Sequence, residues 1–169
     1  MSRADVAARA ITDQLDPADL PVDPEKVARE LGAIVVQQGN DTGVSGMLLR
    51  RDGQIILGLN SDRPPVARRL TLAHLIGHLQ LHRRRDLLLD TIDRHRYSKL
   101  SSMPLDREEA EANRFAAALL APENLVRKAV AEAEFGTAAE LVEILADRFE
   151  MSRAAMGYRL MTLGVVMDL

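Results

Sequence analysis

Residues 70–82, LTLAHLIGHLQLH, carry three of the chain's four histidines among seven apolar residues. The apolar positions fall at helical spacing, so the stretch predicts a largely buried helix over about 65–82. His74 and His78 are one turn plus about 40° apart, which puts both imidazoles on one face. That is how a single helix offers two nitrogens to one tetrahedral metal ion. His82 lies about 12 Å along the axis from His74, so on a straight helix it cannot complete the same centre. A third ligand has to come from elsewhere. Two histidines four apart are also an ordinary surface or core feature, and spacing alone leaves both readings open. The apolar surroundings weigh toward partners, because burying imidazoles without them is costly. Gly77 costs about 1 kcal/mol against alanine in mid-helix and marks a place where something approaches closely.

Working outward, residues 106–122 (DREEAEANRFAAALLAP) predict a second helix over about 106–120, with an apolar face of Ala112, Phe115, Ala116, Leu119 and Leu120. On a helical wheel Glu108 and Glu109 flank that face and Glu111 points to solvent. An anionic oxygen would complete a centre with two imidazoles, so Glu109 or Glu108 is a candidate ligand. First-turn acids also suit the helix dipole without any metal. Between the two helices, Arg83 to Asp106 reads as a polar loop, mobile or substrate-facing, containing Arg83-Arg84-Arg85 and Leu87-Leu88-Leu89. The arginine run could attract an acidic substrate or partner, although such runs are usually solvated surface. His95 has no evident partner.

Upstream, helices are expected over 5–15 and from Pro24 to a stop at Gly32. Strands are expected at 33–36, 45–49 and 54–59, the last two joined by Arg51-Asp52-Gly53, a good hairpin signal. Downstream, helices are expected over 123–134, 137–149 and 152–162. The reading is one α+β domain over 1–169, with a small three-stranded sheet packed on helices.

Composition narrows the function. The chain has 169 residues with 47% hydrophobic and 28% charged content, so it can form a soluble globular core. Its net charge of −3 is unlike a protein living on phosphate backbones. With 3% aromatics and no tryptophan, base stacking is a poor fit. The absence of cysteine excludes thiolate chemistry and suits the cytoplasm. No apolar run approaches a membrane span, and no signal sequence is evident.

Taken together, Leu72-Ala73-His74-x-x-Gly77-His78-x-x-x-His82 and Glu109-x-x-Ala-Asn113-x-Phe-Ala-x-x-Leu-Leu-x-Pro122 resemble the ImmA/IrrE family of zinc metallopeptidases. The resemblance covers nearly the whole chain. It implies a zincin-like fold, one zinc ion, ligands His74, His78 and Glu109, and supporting positions behind them for Asn113 and His82. It also implies a protein target, such as a helix-turn-helix repressor or an antitoxin. The family's helix carries His-Glu-x-x-His, whereas this chain has Leu75 at the glutamate position. In such peptidases that carboxylate takes a proton from the attacking water and passes it to the leaving amine. Leucine cannot, and general acid–base help is worth about 10²- to 10⁴-fold. The resemblance therefore implies a zinc-dependent endopeptidase that cleaves such a partner, weak or inactive here for want of the general base. The alternative is a non-catalytic metal-binding module that acts by binding its target. Residues 137–163 also read as a helix-turn-helix, which would need Arg153 and Arg159 on DNA. Three arginines against five acids over 137–169 make direct nucleic-acid binding a poor fit.

Overall fold

The computed structural model describes residues 2–13, 15, 17–91 and 104–167. Helix α1, Arg3–Thr12, starts at a capping box in which the Ser2 hydroxyl accepts from the Asp5 amide and the Asp5 carboxylate accepts from the Ser2 amide. Helix α2, Pro24–Glu30, is capped by Asp23, with proline at its start, and ends before Gly32 at φ 79°. Strands β1 (Ala33–Gln38), β2 (Val44–Arg51) and β3 (Gln54–Asn60) follow. Asp52 and Gly53 both have positive φ, the backbone twist a two-residue hairpin requires.

Helix α3, Pro65–Leu81, comes next, then strand β4, Leu87–Thr91, and helix α4, Pro104–Leu120. Three further helices close the domain: α5 (Glu123–Glu132), α6 (Ala138–Arg148) and α7 (Arg153–Thr162). Thr137 and Ser152 cap α6 and α7 through their hydroxyls. No described helix is long and apolar enough to cross a membrane.

The sheet order is β1-β3-β2-β4, with β1 parallel to β3 and β2 antiparallel to both neighbours. The expected three-stranded sheet is thus four-stranded, and residues 87–91 of the expected polar loop are its edge strand. Leu88 and Asp90 turn inward while Leu87 and Leu89 are exposed, the alternation of a half-buried strand. Residues 92–103 of that loop, with His95, lie outside the described residues.

One row of side chains, Val35, Leu57, Leu48 and Leu88, runs across all four strands and belongs to the core. Helix α3 lies against this sheet, and at Gly46 the backbone comes close to it. A Cβ there would sit 2.6 Å from Thr71 Cγ2 and 3.0 Å from Leu75 Cδ1. On the other side α3 meets α4 at Gly77, where a Cβ would sit 3.0 Å from the Ala112 carbonyl oxygen and 3.1 Å from its Cα. This is the close approach that the mid-helix glycine marks in the sequence. It brings the backbones of α3 and α4 together beside His74 and His78.

Helix α1 is tied to the far end of the chain. Asp5 accepts from Arg114 at 2.9 Å and from Arg159 at 3.5 Å. Arg159 is 3% exposed, and its Nε donates to the Ala121 carbonyl at 2.9 Å.

Candidate metal centre

Helix α3 supplies two imidazoles from its buried face. His74 and His78 are each 1% exposed, and their Nε2 atoms stand 3.1 Å apart. Helix α4 brings the Glu109 carboxylate onto both: Oε2 is 3.2 Å from His74 Nε2 and Oε1 is 3.4 Å from His78 Nε2. These three side chains are the one His/Asp/Glu group among the described residues that could hold a metal ion.

The outer nitrogens of the imidazoles are also engaged. Asn113, one turn along α4 from Glu109, places Oδ1 2.9 Å from His74 Nδ1. Its oxygen accepts the Nδ1 proton, so neutral His74 presents a bare Nε2. His78 Nδ1 faces His82 Nδ1 at 3.0 Å, and His82 Nε2 faces Glu111 Oε2 at 3.2 Å. With His82 donating from Nε2 to the carboxylate, His82 Nδ1 accepts from His78 Nδ1, and His78 also presents a bare Nε2. Two imidazole nitrogens and a carboxylate thus converge at hydrogen-bonding distance, and in this tautomer both nitrogens can give their lone pairs to an ion. Such a donor set could hold a cation.

The spacing fits one. A tetrahedral zinc with ligands at about 2.0–2.1 Å separates them by roughly 3.3–3.4 Å. The two nitrogens are 3.1 Å apart, and each has a Glu109 oxygen near it, Oε2 at 3.2 Å from His74 and Oε1 at 3.4 Å from His78, distances close to that edge length. Burial pushes the His78 pKa down, against the Glu109 hydrogen bond, which favours the neutral ligand form. Burial would raise Glu109, but hydrogen bonds and charge from His74 and His78 outweigh it and hold the carboxyl far below its usual range.

Leu75 is completely buried and turns toward Gly46 on β2 as part of the apolar core. Glu108 is held by Arg85, at 2.8 Å from Nε and 2.7 Å from the terminal nitrogen. The structure thus brings His74, His78 and Glu109 together, places Asn113 and His82 directly behind the two imidazoles, and turns Glu108 to an arginine.

Glu111 corrects the sequence reading. It was expected to face solvent, yet its side chain is only 25% exposed and contacts His82. The wheel compared Glu111 with the apolar face of its own helix alone. That face is not the whole environment, because the end of α3 and Arg3 of α1 also reach α4 there. The repeated four-residue histidine step was the available signal, since it carries the line of imidazoles on to His82.

The family model for the IrrE N-terminal-like domain, peptidase M78, matches residues 28–161. No curated protein matches the chain.

Proposed function

The chain belongs to the IrrE N-terminal-like domain family, and from that premise we propose that it is a zinc-binding peptidase relative with little or no hydrolytic turnover, which acts by binding a protein target. The observation that carries this reading is the pairing of a convergent His74–His78–Glu109 set with a wholly apolar Leu75. Two imidazoles and one carboxylate form a donor set that suits zinc.

Zinc supplies a Lewis acid when bound. His74 and His78 offer neutral nitrogens whose orientation is set by Asn113 and by the His82–Glu111 pair. Glu109 offers a carboxylate and cannot also serve as a free base. Leu75 carries no proton and excludes water from its side of α3. Glu108, the neighbouring acid, is neutralised by Arg85. No described group beside the three candidate ligands is therefore placed to move a proton to a leaving amine.

The target class, a transcriptional repressor or an antitoxin-like partner, follows from the family resemblance. A duplex-reading alternative has less support. Arg159 is buried on Asp5 and the Ala121 carbonyl and is out of reach of a phosphate, and the exposed Arg153 has the Glu143 carboxylate beside it.

The reading is tested by elemental analysis of purified protein beside a His78→Ala variant, followed by digestion of casein. Near-stoichiometric zinc lost in the variant, with casein left intact by the parent and cut by Leu75→Glu, is the expected result. Absence of metal in the parent, or chelator-sensitive casein cleavage by it, would overturn the reading.

A further inference from the structure

A cavity of about 530 Å³ opens beyond the end of α3, bounded by Leu81, His82 and a ring of arginines: Arg3, Arg83, Arg84, Arg85 and Arg107. Glu108 and Glu111 are the two acids in its wall, so the lining holds an excess of three positive charges. The whole chain carries a net charge of −3, so this concentration runs against the protein's overall field.

The wall shows which chemistry its arginines take. Arg85 holds Glu108 at 2.7 Å, and Arg3 and Arg107 approach Glu111 at 3.9 and 3.5 Å. Arg85 holds its carboxylate through two nitrogens of the guanidinium fork, while Arg3 and Arg107 lie at ion-pair distance only, with Arg3 donating to the Leu81 carbonyl at 2.8 Å. Arg83 and Arg84 are exposed and make no ion pair with a described carboxylate. The cavity has room for several side chains, far more than a single small anion fills. It also adjoins the candidate metal centre, since His82 and Glu111 line it and His82 contacts His78.

We propose that this cavity is a docking site for an acidic segment of the protein target, with Arg83 and Arg84 as its free carboxylate receptors. The proposal rests on the preceding reading only in taking the partner to be a protein. Binding here needs no metal.

The test uses fluorescence anisotropy with a labelled peptide of alternating aspartate and serine, titrated with the full chain at low and high salt. The parent is expected to bind, and more weakly at high salt. Arg83→Glu with Arg84→Glu should weaken binding by roughly tenfold or more, because two attractive pairs become repulsive. Arg127→Glu, on a different face, should change it far less. Equal binding by the Arg83/Arg84 variant would overturn the proposal, as would no binding by the parent. Tighter binding of an oligothymidylate of matched charge would overturn it in favour of phosphate recognition. His78→Ala separates the two readings: loss of zinc with retained peptide binding supports this site by itself, whereas loss of peptide binding with the fold intact would overturn it.

Discussion

Asn113 makes one hydrogen bond on which the balance between ligand and proton turns. Its Oδ1 accepts from His74 Nδ1 at 2.9 Å, beside an imidazole that is 1% exposed. In Asn113→Ala, a proton left on Nδ1 would be buried without that acceptor, at a cost of about 1–3 kcal/mol. The imidazole can avoid the cost by moving the proton to Nε2, where Glu109 Oε2 waits at 3.2 Å. That tautomer satisfies the metal-free protein and blocks the ligand atom. Removing such a partner typically lowers metal affinity 10- to 100-fold, roughly 1.4–2.7 kcal/mol. At a fixed saturating zinc concentration the same amount disappears from the stabilisation by zinc. For a domain of this size, at about 2–4 °C per kcal/mol, the zinc-induced rise in Tm should shrink by roughly 3–10 °C. Competition against a chromophoric zinc chelator gives the affinity, and differential scanning fluorimetry with and without zinc gives the shift. Asn113→Asp keeps an acceptor and should bind zinc at least as well as the parent. Unchanged affinity in Asn113→Ala, or equal loss in both variants, would refute the tautomer argument.

Gly77→Ala sets a helix-propensity gain of about 1 kcal/mol against a Cβ pressed on the Ala112 backbone; the backbone should win, with a net loss of about 1–2 kcal/mol and a lower urea midpoint. Burial acts to raise the Asp5 pKa, but hydrogen bonds from Arg114 and Ser2 outweigh it, so the carboxyl titrates below its ordinary 3.8. Its stabilisation is therefore complete above that ordinary value and fades as pH falls through the lower folded one. The stability gap between parent and Asp5→Asn should be constant near neutrality and close in acid, as read by denaturation at a series of pH values. Arg159→Ala should cost about 1–3 kcal/mol by taking the side-chain donor from the buried Ala121 carbonyl, while Asp5 keeps Arg114 and Ser2, with no change in duplex binding by gel shift.

The helices were legible because their signals are local. The apolar and histidine spacing of 70–82 placed α3 nearly to the residue, and Pro24 and Gly32 marked the two ends of α2. The gathering of Glu109 with the two histidines was legible only through two segments read together, since no spacing within one helix sets a distance to another. Strand β4 was missed because Leu87-Leu88-Leu89 does not alternate in its residue types; its period appears only once Leu88 pairs opposite Leu48. Glu111 was misread for a related reason, as its surroundings come from α1 and α3, far away in the chain. The arginine run was visible, but the cavity that Arg3 and Arg107 complete was not.

The bridge from Asp5 to Arg159 spans 154 positions of sequence and joins α1 to α7 through a single carboxylate. Fraying of α1 would withdraw that carboxylate and leave the buried Arg159 guanidinium with the Ala121 carbonyl and the charge of Glu123 to compensate it. Such a state is costly enough that α7 should loosen in the same event. In hydrogen exchange the two ends of the chain would then behave as one opening unit, with similar protection and a shared response to pH. A chain beginning after α1 would start life with that unit already open.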